Sequence, residues 1–263
     1  MDIKQGIRRN FARRAASYDR HAGVQRRMAR NLLARVQEAL PPPPRILEIG
    51  CGTGYLTALL RQVYPRAQLV ALDLDSALID QARRRLGPDS LVSWLVADGE
   101  AFIRGGFDLI ISNATFQWFT HPGAALESQA QALAPGGCLA FSTLGPRTFK
   151  ELDASLVEAA QALNVPRMPE IPARSFNTLR KWESLLEQAG FSRVQSAREI
   201  LEAHFPNVPE FLKALKALGA TNPRPRAFSP RLLNALIRAY ESRFRQNGSI
   251  PVTYEIIWTL ARK

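Results

Sequence analysis

The sequence predicts an α/β protein built on a doubly wound, mostly parallel sheet, and three observations carry that expectation. Short apolar runs alternate with amphipathic helical stretches through the first half of the chain. Those runs are almost continuously apolar, as strands covered on both faces must be. The first of them also passes straight into a cluster of glycines and then into a helix.

In chain order, basic helical segments occupy residues 1–40. The run PPPP (41–44) cannot continue a helix and sets an extended entry into the strand RILEIG (45–50). YLTALLRQVY follows as a helix of apolar periodicity. QLVALD (68–73), LVSWLVA (91–97), FDLIISN (107–113) and CLAFSTL (138–144) read as further strands. SALIDQARRRL (76–86) and AALESQAQAL (124–133) are amphipathic helices between them. The last third changes rhythm. NTLRKWESLLEQAGF (177–191) is a helix that Gly190 can cap. SRVQSAREILEAHF (192–205) and VTYEIIWTLAR (252–262) are strands, with the helices PEFLKALKALG and SPRLLNALIRAYESRFRQ between them. The expected division is a basic N-terminal segment (1–40), a core (41–204), a helical insertion (205–250) and a last core strand (251–263).

The 263 residues are 46% hydrophobic and 22% charged, which suits one generous globular domain. No run approaches the roughly 18 apolar residues of a membrane span, and no apolar stretch follows the first basic residues as a secretory signal requires. Residues 4–35 are Arg-rich like a transit peptide, yet they are poor in Ser and carry Phe11, Tyr18 and His21, so a retained segment is expected. Cys51 and Cys138 read as small buried residues of a reducing, cytoplasmic setting, and three scattered histidines offer no zinc site. The net charge of +12 is uneven: residues 4–35 hold ten Lys/Arg against one acid, and residues 205–247 hold eight against two. A surplus placed so locally favours an anionic macromolecular partner.

The chemistry lies in ILEIGCGTGYLT (46–57). After Glu48, the glycines Gly50, Gly52 and Gly54 supply unusual dihedrals and let a ligand approach without a Cβ in the way. A dinucleotide fingerprint, G-x-G-x-x-G, needs its third glycine three residues after the second, and here it comes two after. Acids end the next two strand segments, Asp73 and Asp98. With EIGCGTG matching E/D-x-G-x-G-x-G, the chain resembles the class I S-adenosylmethionine-dependent methyltransferases over about residues 45–145. That resemblance implies a Rossmann-like, seven-stranded sheet with S-adenosyl-L-methionine as cofactor and no metal. It places the turn, with Glu48 and Cys51 beside the three glycines, around the amino-acid portion of the cofactor. Asp73, followed by Leu74, would bind the ribose hydroxyls. Asp98, followed by Gly99, would meet the adenine amine, and Asn113 completes the set.

The acceptor is read from SNATFQWF (112–119). It lacks the N/D-P-P-aromatic loop of enzymes that methylate base amines, which argues against a nucleic-acid partner. NATFQW is similar to the N-A-x-x-Q-W of two carboxylate methyltransferase groups, the trans-aconitate type and the malonyl-acyl-carrier-protein type of biotin synthesis. FARRAASYDRHAGVQRRMA (11–29) and LKALKALGATN (212–222) resemble outer segments of the second group. This implies a methyl ester formed on the malonyl carboxylate, an acidic acyl carrier protein as partner for the basic helices, and no membrane partner. Residues 1–40 would form a lid in which Tyr18 meets cofactor or acceptor. An ionised carboxylate needs an anchor rather than a base, and Arg147 in LGPRTF is the candidate. Phe116 and Trp118 are expected in the apolar wall and Trp182 in the core. His121, where aspartate is commoner, has no assigned role. Three other readings stand beside this one: methylation of a free small carboxylate, RNA methylation, and a non-methylating protein akin to a complex I assembly factor.

Overall fold

A computed structural model describes residues 20–101, 105–166, 171–218 and 229–263. Tyr18, most of the first basic segment and Gly219–Asn222 of the second outer motif lie outside the described residues.

Helix α1 (Gly23–Ala39) precedes β1 (Arg45–Ile49), α2 (Tyr55–Val63), β2 (Gln68–Asp73), α3 (Ser76–Leu86) and β3 (Val92–Val96). Then come β4 (Phe107–Asn113), a short 3-10 turn (Phe116–Trp118), α4 (Pro122–Ala132), β5 (Leu133–Leu144) and α5 (Lys150–Ala162). The chain closes with α6 (Leu179–Gln188), β6 (Arg193–Phe205), α7 (Val208–Ala217), α8 (Pro230–Phe244) and β7 (Ile250–Arg262). The strands form one sheet in the order β3-β2-β1-β4-β5-β7-β6, parallel except for β7, which is antiparallel to both neighbours.

That order leads outward from β1 in one direction and restarts at β4 in the other. A crevice therefore opens at the carboxyl ends of β1 and β4, where ligands of such sheets bind. β6 runs in the same direction as β5, so it ends on that same edge, and β7 begins there. The helices between them, α7 and α8, are thus attached to the edge that carries the crevice. β5 begins five residues earlier than the apolar run suggests. Its pairing with β4 shifts after Phe107↔Leu133 and resumes at Leu109↔Cys138, so the intervening Pro-Gly-Gly stretch is absorbed as an irregularity, with Gly136 at φ 75°.

The two faces of the sheet are covered differently. Met28, Leu32 and Val36 of α1 join the core of one face, along with residues of α2, α3, α5, α7 and α8. On the other face, Trp182 of α6 is fully buried, its ring 5.3 Å from Phe141 and 5.8 Å from Phe116. Phe116 itself stacks on Phe141 at 4.3 Å, so it is a core residue rather than the cavity wall expected of it. The insertion is tied down at the start of β7. Buried Glu151 accepts from Thr253 N at 3.0 Å, and Tyr240 donates its hydroxyl to Pro251 O at 2.7 Å. Both cysteines are free and buried. Among the described residues, no helix is long and apolar enough to cross a membrane.

Trp182→Ala should destabilise the fold by about 3–5 kcal/mol, the range for deleting a large buried aromatic. Urea unfolding followed by circular dichroism would show it as a lowered midpoint.

Candidate functional site

A cleft at the carboxyl edge is bounded by the turn after β1, by Leu72–Asp75 after β2, by Ala97–Glu100 after β3 and by Asn113–Thr115 after β4. The turn is strapped to β2: Gly50 N and Cys51 N both donate to Leu72 O at 2.9 Å. All three glycines have positive φ, and each position has its own requirement. A Cβ on Gly50 would run into the Thr115 side chain, and one on Gly54 would lie 2.8 Å from Ala82 Cβ on α3. Around Gly52, at φ 54°, a Cβ would meet nothing within 4 Å. Gly50 and Gly54 therefore serve packing, whereas Gly52 leaves bare backbone facing the open cleft.

Asp73 ends β2 at the cleft wall. Its Oδ2 accepts from Gly52 N at 2.9 Å and its Oδ1 from Asp75 N at 3.0 Å. Loss of solvation pushes its carboxyl up to about 6, against backbone N–H groups that favour the charge. Asp98 lines the same cleft and accepts from Glu100 N at 3.0 Å, and Leu74 and Gly99 line it too. Glu48 is different: it lies beneath the turn, buried, and accepts from Thr57 Oγ1 at 2.6 Å. Burial raises its carboxyl to about 8, so it is mostly protonated at neutral pH.

On the acceptor side, Asn113 is held from both ends. Its Oδ1 accepts from Ser142 Oγ at 2.7 Å, and its Nδ2 donates to Gln25 O on α1 at 3.1 Å. Ala114 follows at φ 54°, and Gln117 steadies it by donating to Ala114 O at 2.8 Å. Thr120 donates through both N and Oγ1 to buried Glu100. Trp118 lines the cleft as expected, and Phe119 takes the wall position foreseen for Phe116. A smaller cavity continues from the cleft beneath α1. It shares Gly50, Gly52, Thr53 and Asn113 and adds Glu48, Cys51, Ala22, Gln25, Arg26 and Tyr55. Cys51, whose thiol burial pushes well up, faces this part.

The residues fit S-adenosylmethionine. Gly52 offers an unobstructed backbone cradle, two carboxylates stand at the strand ends where a nucleoside's hydroxyl and amino donors can be met, and Gln25 Oε1 is a buried acceptor without a partner among the described residues. No cluster of residues able to hold a metal occurs among the described residues. Arg147 does not line the cleft. It is exposed, three residues beyond β5, in a turn fixed by Arg147 N donating to buried Glu255 Oε2 at 2.7 Å. Exposed His121 precedes α4 without capping it. Sequence reasoning gave no site role to Thr53, Asp75, Glu100 or Thr115, nor to Ala22, Gln25 and Arg26, which lie in the outer segment 11–29. Asp75, two residues after Asp73 and capping α3 through Ala77 N at 2.8 Å, carried a readable helix-start signal.

A methyltransferase-domain family matches residues 18–196. The malonyl-[acyl-carrier protein] O-methyltransferase of Anoxybacillus flavithermus is 41% identical over 261 residues, 97% of this chain and 96% of its own length. The protein of the same name from Geobacter sulfurreducens is 35% identical over 266 residues, 99% of each. Among solved structures, the YcgJ protein of Bacillus subtilis aligns with a TM-score of 0.60 at 18% identity, covering 89% of this chain and 98% of that one. The N-methyltransferase NodS of Bradyrhizobium japonicum, in complex with S-adenosylhomocysteine, gives 0.56 at 16% identity over 98% of each. At these identities the two structures speak for the fold.

Glu48 makes a testable prediction. Its carboxyl holds a proton to about pH 8 in the fold but releases it near its ordinary 4.5 once unfolded. The folded state binds the extra proton between those values, so this group's contribution to stability falls as pH rises through that window. Glu48→Gln has no such slope. Its stability relative to the parent should climb by up to about 4 kcal/mol between pH 5 and pH 8.5, one pKa unit being worth about 1.4 kcal/mol. Thermal melts of both proteins across that range would check it.

Proposed function

The chain belongs to the malonyl-[acyl-carrier protein] O-methyltransferases, within the S-adenosylmethionine-dependent methyltransferases, and from that premise we propose that it methylates the free carboxylate of malonyl-acyl-carrier protein, an early step of biotin synthesis. The observation that carries this reading is identity of 41% along nearly the whole of both chains, outer segments included. One assay tests it. Transfer of labelled methyl from S-adenosylmethionine should reach malonyl-carrier protein and leave free malonate, aconitate and bulk RNA unlabelled. Equal labelling of a free acid or of RNA, or no transfer at all, would overturn it.

When bound, S-adenosylmethionine supplies a sulfonium-activated methyl group. The chain's own work is then positioning, which can lower a barrier by up to ~7–11 kcal/mol. Asp73, oriented by Gly52 N and Asp75 N, would take the ribose hydroxyls, and Asp98 the adenine amine. Asn113, fixed by Ser142 and Gln25, holds the wall between cofactor and acceptor. The acceptor carboxylate, with an ordinary pKa of about 4, is ionised without help. Arg147 is our candidate for the fork that anchors it. Its turn is braced by buried Glu255, which leaves the guanidinium exposed at the end of β5 beside the crevice edge. Tyr18 remains a proposed contact of cofactor or acceptor.

The carrier protein is the proposed occupant of the basic surface, with no nucleic acid or membrane partner. Lys213 and Lys216 on α7, Arg231, Arg238 and Arg243 on α8, and Arg245 just after it are exposed, on helices attached to the crevice edge. Such a field steers an acidic partner toward the mouth. The free thiols of Cys51 and Cys138 support a cytoplasmic setting.

Asp73→Ala should weaken S-adenosylmethionine binding by roughly 1–3 kcal/mol, read by calorimetry. Arg147→Ala should lower turnover of malonyl-carrier protein far more than it lowers cofactor affinity; turnover near that of the parent would move the anchor elsewhere. Added salt should cut catalytic efficiency on the carrier-bound substrate steeply, because screening shortens from about 10 Å at 0.1 M to about 3 Å at 1 M. Lys213→Glu with Lys216→Glu should reproduce that loss at low salt while sparing a short malonyl thioester. Equal loss on both substrates would refute carrier docking.

A further inference from the structure

β6 is the last strand of the sheet, 13 residues long, and no further strand among the described residues lies beyond it. The direction of its free hydrogen-bonding groups follows from its neighbour. Gly145 N donates to Glu255 O, and Lys263 N donates to Gly137 O, so the odd-numbered residues of β7 turn toward β5. Backbone groups alternate along a strand, which leaves the even-numbered residues of β7 to bond β6. These stand opposite odd-numbered ones, Trp258 opposite Ala197 and Leu260 opposite Gln195. The N–H and C=O groups of Ser196, Arg198, Ile200, Glu202 and His204 therefore point away from the sheet as an open ladder. Their side chains share one face, and the last four are exposed. Ile200, 44% exposed, and Val96 are the two exposed large apolar side chains among the described residues. The other face of β6 is engaged, since Ala197, Leu201, Ala203 and Phe205 pack on the core.

The exposed row reads Arg-Ile-Glu at alternate positions, a cation and an acid flanking an apolar residue. Such a row is complementary to itself when two copies run antiparallel. With Ile200 opposite Ile200 of a second copy, Arg198 faces that copy's Glu202, Glu202 faces its Arg198, and Ser196 and His204 face one another. The outward backbone groups of these same residues then meet in hydrogen-bonded pairs. A shifted register loses the match. Centring on Glu199 sets that acid against itself and Arg198 against Ile200, and centring on Leu201 sets Ile200 against Glu202. Pro206, opposite Val194, has no N–H to give and ends the ladder. Within the chain, Arg198 Nη1 lies 3.7 Å from Glu255 Oε1, and Glu202 Oε1 lies 3.2 Å from His204 Nε2. Contacts of such exposed side chains contribute little, so both remain available to a partner. We infer that β6 is the dimerisation edge of this protein, pairing antiparallel with β6 of a second copy about a two-fold axis at Ile200 and joining two sheets into one. The inference stands apart from the proposed function. Strand direction reverses across the axis, so the two crevices open on opposite edges of the joined sheet, each with its own basic helices.

Sedimentation equilibrium across the micromolar range should show the parent in a reversible monomer–dimer equilibrium. Arg198→Glu alone and Glu202→Arg alone should each raise the dissociation constant on the order of 10- to 100-fold, because two attractive pairs become two repulsive ones. Mixed in equal amounts, those two variants should recover a dimer with one chain of each kind, since every cross-strand pair is again of opposite sign. The double variant, Arg198→Glu with Glu202→Arg, should dimerise like the parent. Ile200→Lys sets two ammonium groups against each other at the axis and should give a monomer. Thermal melts followed by circular dichroism would confirm that each variant is folded. If Arg198→Glu does not fold beside the buried Glu255, Glu202→Arg and Ile200→Lys carry the test. A parent that stays monomeric, or a dimer that folded Glu202→Arg and Ile200→Lys leave intact, would overturn the inference. So would failure of the two folded single-charge variants to recombine.

Discussion

The carboxyl edge of the sheet depends on how the turn after β1 is strapped to the end of β2. Gly50 N and Cys51 N share the Leu72 carbonyl, and the next free donor, Gly52 N, goes to the Asp73 carboxylate. That arrangement forces positive φ on the turn and gives one carboxylate two duties: holding the turn and facing the cleft. A carboxylate in that place loses solvation, which is why its pKa is drawn up to about 6. Below it, Glu48 sits drier still and keeps its proton, hydrogen-bonded to Thr57. The site therefore separates an ionised acid at the ligand surface from a mostly neutral one beneath the turn.

From the strapped turn, the rest of the site divides by strand. Acids after β2 and β3 line one part of the cleft, and Asn113 with the braced loop after β4 lines another. Beyond it, β5 ends in a turn that buried Glu255 fastens to β7. The reversal at β7 has a further effect, because it places α7 and α8 on the same edge. The cationic surface thus stands beside the mouth without entering the cofactor cleft, so partner docking and cofactor binding can respond independently to salt and to mutation.

Much of this was legible in the sequence. QLVALD occupies the expected strand residues, because a buried parallel strand must be apolar throughout. Gly52, Asp73, Asp98 and Asn113 could be placed because a ligand-facing turn and strand-ending acids leave local signatures. What could not be read came from tertiary packing. Phe116 and Phe119 are equally aromatic, and only the 3-10 turn decides that one stacks on Phe141 and the other faces the cleft. Gly54 belongs to the motif but meets Ala82, a neighbour 28 positions away in sequence. The partners of α1 were hidden for a similar reason: its arginines look alike as a charge run, and only the fold pairs Arg27 with Glu199 and Arg30 with Tyr55.

The central claim is that one groove, running from the strand-ending acids across the Gly52 backbone to α1, receives the cofactor. Amide hydrogen exchange with and without S-adenosylhomocysteine tests it most directly, since exchange reports local opening residue by residue. The account predicts added protection confined to the turn at 50–54, the segments 73–75 and 98–100, the loop around Asn113 and the first turns of α1. Protection absent there, or appearing instead at the amino ends of the strands around Arg45 and Arg262, would contradict it.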